Sequence, residues 1–204
     1  MTLQPHGGPD AQGVPRWDFS TNANACGPCP TALAAIQAAD ASRYPDPLYT
    51  ALRARLAAFH AVAPERVLLA ASASECIHRV TAWQARLGAR HVAVPKHAYG
   101  DYAHAARAWG LAVGQGEAAM AHADLIWACE PSSPLGGAQP HWPYALIDGD
   151  LTVARPTVVL DGAYAPLRLS GTPSLGNAQL HRVWQLFSPN KALGLTGVRA
   201  AYAI

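Results

Sequence analysis

From about residue 66 onward, short apolar runs alternate with stretches whose apolar residues recur every three or four positions. The runs at 66–71 (RVLLAA), 91–95 (HVAVP), 111–114 (LAVG), 124–130 (DLIWACE), 157–164 (TVVLDGAY), 182–188 (RVWQLFS) and 198–204 (VRAAYAI) are β-rich and apolar throughout. Strands buried on both faces of a parallel sheet read this way, because neither face meets water. Between them 74–87, 99–109 and 141–147 read as helices. Upstream, TALAAIQAAD and LYTALRARLAAFHA carry helical spacing, and SRYPDP breaks the chain between them with two prolines. Residues 1–30 are rich in Gly, Pro and Asn without sustained periodicity, so they read as an extended arm or loop. The alternation predicts an α/β fold: a doubly wound, mostly parallel seven-stranded sheet flanked by helices.

Composition narrows the class. The chain has 204 residues, half of them hydrophobic and 14% charged, enough for one domain with a sizeable core. A net charge of +2 with scattered Lys and Arg gives no footprint for nucleic acid. No apolar run approaches the ~20 residues of a membrane span, and the first twenty residues lack the basic start and apolar segment of a signal peptide. Four cysteines in such a chain read as reduced thiols of a cytoplasmic protein.

Two of those cysteines form Cys26-Gly27-Pro28-Cys29, the spacing of a dithiol redox site. Such a site sits between a central strand and a helix N-terminus. A helix is expected from Thr31, but the preceding PRWDFSTNANA is polar and loop-like. A zinc site needs two more ligands at matching spacing, and Cys76 and Cys129 stand alone. The pair therefore reads as loop cysteines, neither a dithiol oxidoreductase site nor a zinc knuckle.

The segment FSPNKALGLTGVRAAYAI is richer. A strand ends at Ser188, Lys191 follows in a loop with Gly194 and Gly197, and Arg199 opens the next strand. A lysine partly withdrawn from water is a good amine for Schiff-base formation, and an arginine with a hydroxyl suits a phosphate. A surface lysine and a structural arginine are the competing reading. Asp161 ends the apolar run TVVLDGAY, where a carboxylate needs a cationic partner or a task. A protonated pyridine nitrogen is one such partner; a turn or helix-capping role is the alternative. Ser72 and Glu75 have capping-box spacing, which puts a helix N-terminus with free amides at 72–74.

Taken together, Ser188-x-x-Lys191-x-x-Gly194-x-x-Gly197-x-Arg199 and VVLDGAY resemble the class I/II aminotransferases of pyridoxal-phosphate (PLP) fold type I. More narrowly, the chain resembles the histidinol-phosphate aminotransferase and threonine-phosphate decarboxylase branch, over nearly its whole length. The resemblance implies pyridoxal 5'-phosphate as cofactor, with Lys191 forming its Schiff base and moving the proton at the substrate α-carbon. It implies Asp161 at the pyridine nitrogen, Tyr164 and Ser133 at the ring oxygen, and Tyr99 stacked on the ring. Ser188, Arg199 and the amides of Ala73 and Ser74 fall at the phosphate. Tyr44, in SRYPDP, is placed at the phosphate of a neighbouring subunit, implying a homodimer with shared active sites. Asn24 falls in the N-terminal substrate loop. Ser133 stands where the family carries an asparagine, and Gly162 where it usually carries a glutamate.

On this comparison residues 1–40 form an N-terminal arm and substrate loop with the first helix, and 41–204 a PLP-binding large domain. That domain is expected to be incomplete at its C-terminus, with the small domain that grips the substrate carboxylate missing. Three functions remain open. The first is transamination of an amino acid or amino-acid phosphate. The second is a threonine-phosphate decarboxylase-like lyase reaction of cobalamin biosynthesis, to which the run His6-Gly7-Gly8 adds a reminiscence. The third is a truncated, non-catalytic fragment.

Overall fold

The computed structural model describes residues 7–150 and 156–204. His6 lies outside the described residues. Seven strands form one sheet in the order β1-β7-β6-β5-β4-β2-β3. They are β1 (Leu68–Ala70), β2 (His91–Val94), β3 (Ala112–Gln115), β4 (Leu125–Cys129), β5 (Thr157–Asp161), β6 (Trp184–Phe187) and β7 (Ala201–Ala203). The ladders from β3 through β2, β4 and β5 to β6 are parallel, while β7 runs antiparallel to both β6 and β1. The mostly parallel seven-stranded sheet expected from the apolar runs is therefore present.

The lack of alternation has the expected cause. All five residues of β4 are buried. Leu125 and Trp127 join Val92, Val94, Val159 and Leu186 in a core on one face, which α3 (Ala73–Arg86) and α4 (Gly100–Ala108) cover. Ile126 and Ala128 join Ala93, Val158, Ile147 and Val183 in a second core on the other face. Successive side chains thus enter opposite layers, and both layers are dry.

The remaining helices are α1 (Pro30–Gln37), α2 (Thr50–His60), α5 (Glu117–Met120), α6 (Tyr144–Ile147) and α7 (Asn177–Leu180). The expected helix at 141–147 shrinks to α6, because Pro143 sets its start. The strand expected over 157–164 ends at Asp161, where Gly162 to Tyr164 turn into a short 3-10 segment. Among the described residues no helix is long and apolar enough to cross a membrane.

Residues 7–29 form a loop whose one ladder contact is a bridge between Asp10 and Gly13. No strand precedes Cys26, so the context of a dithiol oxidoreductase site is absent from the described residues.

Candidate active site

The carboxyl ends of parallel strands leave a crevice where the chain turns back over the sheet. Here β4 ends at Cys129, β5 at Asp161 and β6 at Phe187, and the loops beyond them enclose a cavity of about 730 Å³. Asp161 forms its floor. Register pairing sets it between Cys129 and Leu186, and it is buried. The Tyr102 hydroxyl donates to Asp161 Oδ2 over 2.7 Å, and the Ala163 amide donates to Oδ1 over 2.9 Å. Burial pushes the Asp161 carboxyl above its ordinary range, while Tyr102, Ala163 and the charge of Lys191 pull it back.

One wall is the start of α3. Ser72 caps the helix, its Oγ accepting from the Glu75 amide at 3.1 Å, while the Glu75 carboxylate accepts from the Ala71 amide. This is the expected capping arrangement, with the return bond one residue early. It leaves the Ala73 and Ser74 amides at the first turn, where intrahelical acceptors do not exist. Ser74 Oγ lies 3.2 Å from the Tyr99 hydroxyl. Tyr99, the N-cap of α4, is held edge-on to Tyr102 at 5.9 Å, and burial pushes its phenol up to about 12.

The opposite wall is the loop after β6. Ser188 is buried and donates to Asn190 Oδ1 at 2.7 Å. The Lys191 Nζ lies over the Tyr164 ring, 5.2 Å from its centroid. Arg199 lines the same cavity and is exposed. Ser133 contributes from the loop after β4. That loop is fixed by Glu130, whose Oε1 accepts from Arg168 and from the Ser174 amide, both at 2.9 Å, and whose Oε2 accepts from the Gln139 amide at 3.3 Å.

The arm closes the cavity and grips the lysine loop. Asp18 accepts from Ser20 and Thr21, shaping a turn that brings Ser20, Thr21 and Asn22 to the cavity wall. Farther along, the Asn24 amide donates to the Lys191 carbonyl at 3.0 Å, its Nδ2 to the Ala192 carbonyl at 3.0 Å, and the Cys29 amide to the Leu193 carbonyl at 2.8 Å. Gly194 has φ +63, and a Cβ there would overlap the Gly27 carbonyl, so the two loops touch backbone to backbone.

The structure gathers Lys191, Asp161, Tyr164, Ser188, Arg199, Tyr99, Ala73, Ser74 and Ser133 around one cavity. Two residues named from the sequence stand elsewhere. Asn24 is spent on the lysine loop, behind the wall that Asn22 lines, and Tyr44 is fully exposed at 101%. Sequence reasoning missed Tyr102 and Cys129. Tyr102 lies three residues after Tyr99, in the first turn of the helix that Tyr99 caps, and that spacing is the available signal. Cys129 ends β4 beside Asp161, and burial pushes its thiol up to about 12.

No protein-family model matches the chain. It is 32% identical over 210 residues to the aromatic amino acid aminotransferase of Rhodococcus opacus (strain B4), covering 91% of this chain and 56% of that enzyme. Among solved structures, the histidinol-phosphate aminotransferase of Sinorhizobium meliloti, in complex with pyridoxal-5'-phosphate, superposes with a TM-score of 0.71 at 22% identity. That match covers 90% of this chain and 54% of that one. The L-threonine-O-3-phosphate decarboxylase of Porphyromonas gingivalis has a TM-score of 0.65 at 22% identity, covering 79% and 51%. In fold and in sequence the chain is similar to fold-type I pyridoxal-phosphate enzymes of the aminotransferase class. It corresponds to their large domain and spans about half the length of the relatives it matches.

Proposed function

We propose that the chain is the cofactor-binding part of a pyridoxal-phosphate-dependent aminotransferase acting on an amino acid or amino-acid phosphate. The observation that carries this reading is one cavity lined by an amine, a buried carboxylate and the first residues of helix α3. These groups match the chemistry of the cofactor. Asp161, with one donor on each oxygen, retains lone pairs for a ring N–H and is more comfortably ionised beside one. The Ala73 and Ser74 amides, the Ser188 hydroxyl and the Arg199 guanidinium suit a phosphate dianion.

When bound, pyridoxal phosphate supplies an electron-poor ring that accepts the electron pair freed at the substrate α-carbon. The chain's residues do the rest. Lys191 would anchor the cofactor through its amine and would move the proton at the substrate α-carbon. Asp161 would keep the ring nitrogen protonated, Tyr164 and Ser133 would serve the ring oxygen, and Tyr99 would pack against the ring, all from one cavity. A neighbouring cavity of about 360 Å³ shares Asn22, Ser133 and Tyr164, leaving room for a substrate side chain. Tyr44, fully exposed in the single chain, would serve the phosphate of a second copy, which makes the working form a homodimer. Asn24 acts on substrate indirectly, by fixing the loop that carries Lys191.

The test is to incubate the protein with pyridoxal phosphate, reduce with borohydride and map the labelled peptide. Label on Lys191, lost in Lys191→Ala, supports the reading. A chain that stays unlabelled, or labels elsewhere, defeats it. Product analysis with amino-acid phosphates then separates transamination, which yields a keto acid, from decarboxylation, which releases carbon dioxide.

A further inference from the structure

The Cys26–Cys29 pair lacks the context of a dithiol enzyme, yet it lies on the segment that clasps the lysine loop. The Cys26 amide donates to Asn24 Oδ1 at 3.0 Å, and Asn24 in turn donates to the carbonyls of Lys191 and Ala192. The Cys29 amide donates directly to the Leu193 carbonyl. Between the cysteines, Gly27 (φ +83) and a bend at Pro28 fold the chain back on itself, and the Gly27 carbonyl presses on Gly194. These bonds from the strap to the lysine loop therefore start at Cys29 or at Asn24, whose side chain the Cys26 amide holds.

The four thiols are sharply divided. Cys26 is exposed and Cys29 half-buried, whereas Cys76 and Cys129 are 1% and 2% exposed. Burial pushes those two thiols up to about 11 and about 12, which keeps them protonated and unreactive.

We propose that Cys26 and Cys29 are a reversible modification site, a dithiol that closes to a disulfide by exchange with a low-molecular-weight disulfide and thereby loosens the clasp on the Lys191 loop. The exposed Cys26 thiolate attacks one sulfur of the reagent, RSSR, forming a mixed disulfide and releasing RS⁻, which takes up the proton Cys26 gave to solvent. Cys29 then attacks the Cys26 sulfur, closing the ring and releasing the second RSH. Two S–H bonds and the reagent's S–S bond break. One protein S–S bond and two RSH form, so the dithiol loses two electrons and the reagent gains them. A disulfide demands a narrow range of Cα separation and torsion. Closing it constrains the backbone at Cys29, whose amide bonds the Leu193 carbonyl, and at Cys26, whose amide holds the Asn24 side chain. The modification stands on these contacts alone; its consequence for catalysis rests on the role proposed for Lys191.

The experiment equilibrates the protein over a series of reduced and oxidised glutathione mixtures, traps thiols by alkylation, and maps peptides by mass spectrometry. Hydrogen–deuterium exchange of peptides spanning 189–196 is followed in parallel, a readout that needs no cofactor. The expected result is a Cys26–Cys29 disulfide at the oxidising end, with Cys76 and Cys129 alkylated only after unfolding. Exchange across Lys191–Leu195 should then quicken at least twofold. Cys26→Ser and Cys29→Ser should each abolish the change. Glutathione adducts that never resolve to an internal disulfide would overturn the proposal. So would a disulfide that leaves exchange at 191–195 unaltered.

Discussion

The hydroxyl of Tyr102 reaches up from beneath the cavity floor to Asp161 Oδ2 at 2.7 Å, its ring stacked on Trp127 with 4.8 Å between centroids and 6° between planes. Neither Tyr102 nor Trp127 is measurably exposed. The donor is thus fixed by packing, and it fixes the carboxylate. Tyr102→Phe keeps the stack and removes the bond. A buried acceptor that loses its donor costs about 1–3 kcal/mol. Urea denaturation of the cofactor-free protein should show a loss of that size, with Tyr99→Phe as a milder comparison. A stability equal to wild type would mean that the bond contributes nothing.

Asp161 itself should cost the free protein stability. Burial raises its pKa above the ordinary 3.8, so the folded state holds its proton more tightly than the unfolded state does. The stabilisation is complete below 3.8 and is lost as pH rises through the elevated folded value. In Asp161→Asn, the amide oxygen can face the Ala163 N–H, and its NH₂ can donate to Tyr102 once that hydroxyl rotates. The variant should match wild type near pH 4 and exceed it at pH 7 without cofactor, while taking up pyridoxal phosphate at least tenfold more weakly. Denaturation curves at the two pH values and an absorbance titration check both halves. A variant less stable than wild type at pH 7 would defeat the argument.

Much of this was legible in the chain, and the reasons are local. Seven apolar runs announced seven strands, most plainly in β4, buried at every position, and less so in the edge strands β1 and β3, which are only partly buried. Ser188, Lys191 and Arg199 announced a site because their spacing is tied to a short loop. Helices α5 and α7, four residues each, are too short for periodicity to register. Tyr102 was hidden because a buried hydroxyl among apolar neighbours looks like core until the strand end it touches is known. From the sequence Asn24 reads as a substrate group; its side-chain bond to Ala192 spans 168 residues of sequence, beyond the reach of any spacing rule.

Glu130 should contribute to the acid limb of stability. Burial pushes Glu130 up, but the bonds from Ser174, Gln139 and Arg168 outweigh it and bring its pKa below the ordinary 4.5. A lowered acid stabilises above its ordinary pKa and loses that contribution as pH falls through the folded value. In Glu130→Gln, an amide NH₂ must face at least one of the three donors, and Arg168, 18% exposed, loses its counter-charge. A loss of about 2 kcal/mol or more is expected at pH 7. The gap to wild type should narrow below pH 4.5. A gap that stays constant with pH would show that ionisation of Glu130 plays no part.

Gly194 offers the sharpest test of the clasp between arm and lysine loop. Its φ of +63 costs a residue with a Cβ about 1 kcal/mol in conformation alone. The added methyl also meets the Gly27 backbone, which has no rotamer with which to yield. Gly194→Ala should therefore push the arm off the loop and break the bonds of Asn24 and Cys29 together. Asn24→Ala removes the two side-chain bonds, to Ala192 and from Cys26, and leaves the backbone ones, at about 1–2 kcal/mol. Limited proteolysis should nick residues 20–29 much faster in Gly194→Ala than in Asn24→Ala, and faster in both than in wild type. Equal rates in all three would mean that the arm is held by something other than the lysine loop.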